Sequence, residues 1–510
     1  MLKILFTKQE YALSNEKTFY ITTAIDYPNG KPHMGHAFEK VLTDTYARWH
    51  RFLGDKTYFL TGTDENGQKL LEAAKAQNKD TKEFIDENVK IFEKLCADLK
   101  ITNDDFIRTT EPRHQDVCKD LWNSLEKKGD LYFGQYSGNY CLSCENFYTE
   151  LQAPDGECPH HGIPLELKEE DGYFFKMSQY QDWIIKHIED NPSFIVPKSS
   201  YNEILSRLKM EPIRDVAFSR PNNGWGITVP GKEDDFVMYT WCDALVNYYS
   251  ALKSKDLENT FWPCDVHVIG KDIAWFHCVI WPCMLHAAGI ELPKQVYVHG
   301  MILASDGKKM SKSLGNVIDP NEILAKYHLD SFRYYLLRGI PAQGDGAFVE
   351  QELIDKHNNE LGNDFGNLIM RVVKLSLKNL PADISGTDVK QDVHFDEIFE
   401  KMKVHMTKKE HGKALDALWE SVNKANQYVN DNEPWKLKND PEKLTPIVYN
   451  CLYSIHAIAT LLTPFLPWAS EQTLLSLNPT TSGWSELEFG KTSYKLTTPE
   501  ALFPKLDSLE

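Results

Sequence analysis

The sequence predicts an α/β protein that ends in a bundle of helices, and three observations support this. Short apolar strands alternate with loops and helices in residues 1–115 and again in residues 240–300, which is the order expected for a parallel sheet. Residues 116–239 break this alternation with short aromatic strands and a cluster of cysteines, so we interpret them as an insertion. In residues 351–510 the strand signals fade, and helical patterns separated by proline and glycine indicate a bundle.

The individual elements follow from the periodicity of apolar residues. The predicted strands are Phe19–Ile25, Thr57–Leu60, Val266–Ile269 and Gln295–His299. The predicted helices are Met34–Leu53, one that begins at Asp272, and then Leu353–Leu380, Phe395–Val429 and Leu444–Leu462.

Composition excludes several classes of protein. The 510 residues are 42% hydrophobic and 25% charged, which is ordinary for a globular chain of several domains. A net charge of −18 argues against a protein that coats nucleic acid through its overall field, although a local basic footprint remains compatible with it. We find no targeting segment, and Pro282 and His286 interrupt the apolar run Cys278–Ile290. We therefore expect a cytoplasmic protein without membrane contact.

Two motifs indicate a phosphate-binding site. His33–His36 (HMGH) lies where a strand ends and a helix begins, and the N-terminus of a helix attracts anions. Both imidazoles can donate to phosphate oxygens, and Gly35 lets a nucleotide lie close to the backbone. Asp306–Ser313 (DGKKMSKS) is typical of a flexible loop whose three lysines can close over a triphosphate. Taken singly, the motifs are also compatible with two surface histidines and a solvated charged loop.

Together the two motifs resemble the two signatures of class I aminoacyl-tRNA synthetases, in the same order and on the same predicted local structure. That resemblance implies that the phosphates of ATP contact His33, His36, Lys309 and Lys312. Gly270 and Asp272, at the end of another strand, resemble the ribose contacts of that family, although Asp272 could also cap its helix. Mg²⁺ is expected to accompany ATP, and no dedicated metal cage for it is visible.

The resemblance extends over nearly the whole chain, and it is to methionyl-tRNA synthetases in particular. It implies activation of L-methionine with ATP to methionyl-adenylate, followed by transfer to tRNA(Met) with release of AMP and pyrophosphate. It also implies a Rossmann-like catalytic domain in two halves, 1–115 and 240–300, with the connective insertion at 116–239. Residues 301–350 would hold the lysine loop and a stem-contact region, and residues 351–510 an anticodon-binding domain.

The resemblance also implies a methionine pocket, in which the carboxylate of Asp64 pairs with the substrate ammonium group. The pocket residues are Ala24, Ile25, Tyr27, Asp64, Trp241, Ala244, Leu245, Tyr248, Ile273 and His277. Aromatic walls suit a polarisable thioether, and we expect Tyr27 and His277 to offer donors to sulfur. Spacing alone favours core packing for Trp241, Tyr248 and Ile273, and the resemblance reverses that judgement. Asp26 departs from the family, in which many members carry an aromatic residue or proline, and we assign it no role.

The cysteine cluster predicts a structural zinc site in the insertion. Cys141 and Cys144 form one close pair of donors, and Cys158 and His161 form a second after a short loop. Two such pairs suit tetrahedral Zn²⁺, and because protein would fill all four positions, the metal is expected to be structural. The alternative is a set of unrelated cysteines. The other cysteines show no ligand spacing and are expected to be small buried hydrophobes without disulfides.

The bundle contains residues that match the readers of the CAU anticodon in methionyl-tRNA synthetases. Asn367 and Arg371 lie one turn apart on one helix, and Trp435 follows a proline. Arginine and tryptophan are suited to stack on unpaired bases and to bind them through hydrogen bonds. A surface polar pair and a core tryptophan are the alternative interpretations. From the sequence we expect no C-terminal module of the kind that dimerises some members of the family, and we therefore expect a monomer.

Two other functions compete with this prediction. Class I synthetases for valine, isoleucine or leucine carry a large editing insertion, for which this chain has no room. A class I synthetase specific for cysteine would bind zinc through dispersed ligands at its substrate pocket. A non-catalytic tRNA-binding paralogue would be expected to lose the histidines or the lysines of the two motifs, and both sets are present.

Overall fold

Six parallel strands form the central sheet. The computed structural model describes residues 17–141, 146–148, 150, 153–159, 162–310, 315–341, 343–386, 389–481 and 483–509. The spatial order of the strands is Asp105–Arg108, Lys56–Thr63, Thr18–Thr23, Val266–Gly270, Val296–His299 and Ile195–Val196. All four predicted strands are present, with ends shifted by at most three residues. Most of their side chains are apolar or β-branched because helices cover both faces of a parallel sheet.

The two edge strands were missing from the sequence prediction. Asp105–Arg108 is short and half polar, so its pattern resembles a loop. Ile195–Val196 lies in the region interpreted as an insertion, yet it pairs with Val296–His299 and so belongs to the central sheet. Two-residue strands carry no periodicity of their own, so only the neighbouring strand identifies them.

The strand order reverses between Thr18–Thr23 and Val266–Gly270. From the first strand the chain continues to Lys56–Thr63 on one side, and from the second it continues to Val296–His299 on the other. The connections diverge from this point and leave a crevice outside the carboxyl ends of the two strands. Ligands bind in this crevice in open parallel sheets.

Helices surround the sheet. The helix Met34–Phe52, predicted to within one residue, is buried along most of its length, and Gly54 with a φ of +87° follows its end. The other helices of this part are Gln68–Ala76, Thr81–Asp98, Pro112–Lys128, Thr240–Ala244, Asn247–Lys253, Glu258–Phe261, Trp281–Ala288, Pro320–Lys326 and Leu329–Arg338. The helix expected from Asp272 consists of a 3₁₀ turn, Lys271–Ile273, and a π-helical turn, Phe276–Ile280, before Trp281–Ala288. Pro282 lacks the N–H that a regular α-helix needs there, and a widened turn accommodates it.

The insertion has its own antiparallel sheet. Its strands, in spatial order, are Asn146–Tyr148, Leu131–Cys141, Glu166–Phe175 and Val216–Ala217. A short pair outside the insertion joins Ile302–Leu303 to Gly346–Ala347, and another within it joins Ser219–Pro221 to Phe236–Met238. The helices of this region are Met177–Tyr180, Gln181–Asp190 and Lys198–Met210. The last of these reaches the crevice of the central sheet.

The C-terminal part is the predicted bundle. Its helices are Glu350–Lys356, His357–Gly366, Asn367–Asn379, Asp396–Thr407, His411–Asn432, Pro434–Leu437, Pro441–Leu462, Pro467–Leu477 and Trp484–Glu486, and a strand pair joins Asp383–Ser385 to Ser493–Lys495. The prediction of one helix over Phe395–Val429 is wrong, because Lys409 has a φ of 60° and separates two helices. Pro441–Leu462 is the one helix of the described part with the length and apolarity of a membrane span. Most of it, 83% of its most apolar stretch, is buried, as in the central helix of a bundle.

The bundle and the sheet share one hydrophobic core, which includes Ile21 and Val41 from the sheet side and Leu415 and Leu461 from the bundle. A buried ion pair crosses the same junction. The Arg333 guanidinium lies 2.8 Å from Asp44 on Met34–Phe52, and its Nε donates to the carbonyl of Phe465. The helix that begins at the crevice is therefore fixed to the bundle near its middle.

Candidate active site

A cavity of about 440 Å³ occupies the crevice at the carboxyl ends of the central strands. All ten residues predicted for the amino-acid pocket line it, and so do His33, His36, Asp272 and Lys309. Gly35 and Gly270 are close in the chain to residues that line the cavity but do not line it themselves. Lys312 lies outside the described residues. Residues from distant parts of the chain thus meet where the topology predicts a ligand.

His33 and His36 form a reciprocal cap at the start of Met34–Phe52. The N–H of Gly35 donates to Nδ1 of His33 at 3.1 Å, and the N–H of His33 donates to Nδ1 of His36 at 3.0 Å. Both Nδ1 atoms therefore accept, which assigns the ring proton of each neutral imidazole to Nε2. The two Nε2–H groups are the donors that the histidines can offer to an anion at this helix N-terminus.

Gly35 is required by this cap. A Cβ atom at residue 35 would lie 2.9 Å from Cε1 of the His33 ring, closer than atoms can approach without displacement. The glycine therefore permits the His33 ring to fold over the first helical turn. The cap is thus one reason for a glycine at residue 35. The close approach of a nucleotide to the backbone there is a separate reason, which stays a prediction.

One face of the same helix ties it to the strand ends, a connection that was not predicted from the sequence. Lys40, one turn after His36, lies 2.6 Å from the Asp26 carboxylate, with the two side chains only 1% and 5% exposed. Nζ of Lys40 also donates to Thr61 on Lys56–Thr63. Burial raises the pKa of the Asp26 carboxyl group, and the Lys40 ammonium opposes that shift. Asp26, which had no assigned role, also approaches Nε2 of His36 at 3.9 Å.

Glu39 makes a second link from this face. One of its carboxylate oxygens accepts from the N–H of Ala24 at 2.8 Å, and the other lies 2.9 Å from Nε2 of His299. The sequence did contain a signal for these contacts. Glu39 and Lys40 are charged residues three and four positions after His36, and such positions share a helix face with it.

Asp64 is held by its backbone at the wall of the cavity. Its N–H donates to the carbonyl of Asp26 at 2.8 Å, which extends the pairing of the two strands beyond their ends. The loop that follows is anchored through Asn66, which donates to Asp243 at 3.1 Å. A largely buried carboxylate at a fixed place in the cavity is suited to pair with a cation.

Stacked rings form the apolar wall. Trp241 and Phe276 stack with ring centroids 3.7 Å apart and planes within 13° of each other. Tyr248 lies behind, and its hydroxyl is 2.7 Å from Nε2 of His277. Such rings offer polarisable contact to a thioether or another apolar side chain.

The expected donor role of His277 does not fit its hydrogen bonds. Nδ1 lies 2.9 Å from the carbonyl of Ile273, which can only accept, so Nδ1 carries the proton. Burial lowers the pKa of His277 to about 4, so the ring is neutral near pH 7 and its Nε2 accepts from Tyr248. His277 therefore orients the Tyr248 hydroxyl and keeps no donor for a ligand. The other predicted donor, Tyr27, lines the cavity.

Asp272 and Lys309 complete the polar side of the cavity. Gly270, not Asp272, caps the turn Lys271–Ile273, and no side chain donates or accepts at that cap, so the capping role is not observed. A Cβ atom at residue 270 would lie 2.7 Å from Oδ1 of Asp272. Lys309 pairs with Leu303 after a tight turn at Gly307, which has a φ of +77°.

Half of the predicted metal ligands can be located. Cys141 and Cys158, one from each pair, are buried in one small cluster with Tyr148 and Ala153. The N–H of Gly162 donates to the carbonyl of Cys158, which makes a tight turn after that residue. Cys144 and His161 lie outside the described residues, and the described residues alone contain no group of three or more potential ligands. Two thiols in one buried cluster fit a shared metal.

In the bundle, the structure brings Arg371 and Trp435 together. The guanidinium carbon lies 5.7 Å from the centre of the Trp435 ring, and Arg371 donates to Asn430 at 3.0 Å. Trp435 is 42% exposed, so it is not a core tryptophan. Asn367 is exposed at the start of the helix that carries Arg371.

Comparison with known proteins identifies relatives of the whole chain. A family model described as "tRNA synthetases class I (M)" matches residues 19–165 and 161–373. A second, described as "Anticodon binding domain of methionyl tRNA ligase", matches residues 384–509. The methionine–tRNA ligase of Clostridium tetani is 40% identical, with 97% of this chain and 79% of the relative covered. The ligase of Bacillus subtilis is 39% identical, with 97% and 78% covered.

Solved structures agree with these relatives. Mycobacterium tuberculosis methionyl-tRNA synthetase bound by methionyl-adenylate has a TM-score of 0.90 at 34% identity, with 96% of this chain and 100% of that chain covered. The apo form of the same enzyme has a TM-score of 0.85 at 31% identity, with 98% and 100% covered.

Proposed function

Because the chain belongs to the methionyl-tRNA synthetases of class I, we propose that the cavity is where it activates methionine with ATP. The chain is an ATP-dependent methionine–tRNA ligase, and neither another class I synthetase nor a non-catalytic paralogue is favoured. The observation that supports the proposed site is that one cavity is lined by both predicted sets, the phosphate-binding histidines and the amino-acid pocket. The relatives are bacterial enzymes of translation, so we place this one in the cytoplasm.

Activation requires alignment and charge stabilisation. The methionine carboxylate is already ionised near pH 7, so it attacks the α-phosphate without a general base. We assign the phosphates to the Nε2–H groups of His33 and His36, together with Lys309 and Lys312, which offset the charge that moves to pyrophosphate. Asp272 and the backbone of Gly270 face the ribose in this proposal. Mg²⁺ arrives with ATP as part of the substrate.

The amino acid is recognised at both of its ends. Asp64 pairs with the ammonium group, and the stacked Trp241 and Phe276 rings enclose the side chain. An apolar pocket alone distinguishes near-isosteres by about 1–3 kcal/mol. The hydroxyls of Tyr27 and Tyr248 add polar groups that a thioether tolerates better than a branched hydrocarbon. We therefore assign methionine as the amino acid that binds in this pocket.

Methionine is expected to support ATP–pyrophosphate exchange at least about 100-fold better than leucine or isoleucine, measured as kcat/KM without tRNA. The three amino acids have nearly the same volume, so the comparison isolates the polar contacts and the shape of the pocket. Comparable exchange with either branched amino acid would contradict the assignment of the cavity.

We infer that Cys141, Cys144, Cys158 and His161 hold a structural zinc ion, supported by the shared burial of Cys141 and Cys158. Zinc would cross-link the insertion, since all four positions are filled by protein. Metal analysis is expected to find about one zinc per chain, and Cys144→Ser is expected to release it and lower the melting temperature. Cys96→Ser, at a buried cysteine of the sheet domain, is the matched control and should retain the metal. Zinc-free purified wild-type protein would exclude the site.

We propose that Trp435, Arg371 and Asn367 bind the anticodon of tRNA(Met). The exposed ring and the adjacent guanidinium support this, because base stacking needs an accessible aromatic face. Trp435→Ala is expected to lower kcat/KM of aminoacylation by roughly 10- to 100-fold, the equivalent of about 1–3 kcal/mol per stacked base. Methionine activation without tRNA should be unchanged.

The control for Trp435→Ala is Leu475→Ala, which truncates another exposed side chain of the bundle, itself 53% exposed. Both reactions and the melting curve are measured on each variant. A Trp435→Ala protein that is folded and charges tRNA normally removes this residue from tRNA recognition.

A further inference from the structure

Arg207 reaches the cavity from the insertion. It lies on Lys198–Met210, and its guanidinium carbon is 3.8 Å from the centre of the Trp275 ring. Both residues line the cavity, together with Glu203 and Tyr148 from the same region. At 3.8 Å the guanidinium lies against the ring face, an arrangement that holds the charged group in place and leaves its N–H edge for hydrogen bonds.

The guanidinium group has no anionic partner in the described part of the protein. No carboxylate there lies within 4 Å of it, and no atom there accepts a hydrogen bond from it. Burial lowers the pKa of Arg207, although Glu211, Tyr148 and Glu203 oppose that shift from a distance. An arginine remains charged nonetheless, and a partly desolvated cation without a counter-ion is costly. By contrast, Arg108 and Arg113 contact carboxylates at 2.6 Å and 2.7 Å.

We propose that Arg207, held against Trp275, binds a phosphate group of a substrate in this cavity. The inference rests on the proposed function and extends it to the wall that the insertion contributes. A flat guanidinium binds two phosphate oxygens through adjacent N–H groups. Two substrates of the reaction carry phosphate to this place, namely the triphosphate of ATP and the phosphodiester at the 3′ end of tRNA.

The test compares four variants. Arg207→Met retains an unbranched apolar stem against Trp275 but removes the charge, whereas Arg207→Lys retains the charge without the planar fork. Trp275→Leu removes the ring that orients the guanidinium. Lys209→Met is the matched control, because Lys209 lies on the same helix, is 51% exposed and pairs with Glu189.

Two reactions distinguish the sources of phosphate. ATP–pyrophosphate exchange with methionine reports on the nucleotide without tRNA, and single-turnover transfer from preformed methionyl-adenylate reports on the tRNA end. Loss of a charged hydrogen-bonding partner predicts that Arg207→Met changes one of them by about 10- to 100-fold. A higher KM for ATP identifies the triphosphate, and slower transfer or a higher KM for tRNA identifies the 3′ end. Arg207→Lys and Trp275→Leu should lie between wild type and Arg207→Met.

Equal kinetics of Arg207→Met and Lys209→Met in both reactions would overturn the proposal. So would a change confined to the KM for methionine, because the guanidinium would then act on the amino acid. If Arg207→Met does not fold, the kinetic parameters of both reactions are measured on the folded Arg207→Lys variant instead. Wild-type values for that variant would overturn the proposal. Wild-type protein without methionine-dependent exchange would refute the proposed function itself, which is a different result.

Discussion

His36→Asn is expected to slow methionyl-adenylate formation by about 100- to 1000-fold, with little change in methionine affinity. The asparagine Oδ1 takes the place of Nδ1 and can still accept from the N–H of His33, so the helix cap is retained. What the variant loses is the Nε2–H donor. A donor aimed at charge that develops in the transition state lowers kcat when it is removed.

His36→Gln is the matched variant, because its amide nitrogen lies near the place of Nε2 and keeps a donor there while the cap is weakened. Single-turnover rates of adenylate formation and methionine binding are measured on both proteins. We expect His36→Gln to retain more activity than His36→Asn. The reverse order would show that His36 acts through the cap and not through a phosphate contact.

Lys40→Met is expected to lower the free energy of unfolding by about 3–5 kcal/mol, because it leaves the Asp26 carboxylate buried without its cation. It should also reduce kcat, since Asp26 lies 3.9 Å from Nε2 of His36 and its carbonyl accepts from the N–H of Asp64. The double variant Asp26→Asn with Lys40→Met removes both charges and should recover part of the stability. Denaturant unfolding measures the free energy of unfolding of the wild type, of Lys40→Met and of the double variant.

The effect of Lys40→Met depends on pH with a predictable sign. Without Lys40, burial raises the pKa of Asp26 still further in the folded state. A folded state that binds a proton more tightly than the unfolded chain gains stability as the pH falls. The deficit relative to wild type should therefore shrink between about pH 8 and about pH 5. Lys17→Met, at a lysine that is 70% exposed, should cost less than about 1 kcal/mol at either pH. A deficit that grows on acidification would refute the role of the pair.

The strands and helices that the sequence predicted are those with a strong local pattern. Phe19–Ile25 and Val266–Ile269 are mostly apolar or β-branched runs, and Met34–Leu53 has a polar start and a buried length, so each was located within a few residues. The His33–His36 and Asp306–Ser313 motifs together indicated the family for the same reason, because the chemistry of each lies in consecutive residues.

Only the tertiary structure decided what depends on residues far apart in the chain. Lys40 became the partner of Asp26, and Arg207 met Trp275, because strand ends and helices from separate segments converge on one crevice. The proton of His277 was assigned by the Ile273 carbonyl and the Tyr248 hydroxyl, which reversed its expected role as a donor. Local sequence patterns report the period of a helix or strand. The hydrogen bonds, burial and charge of a side chain are determined by its neighbours in space, and these are known only once the sheet has formed.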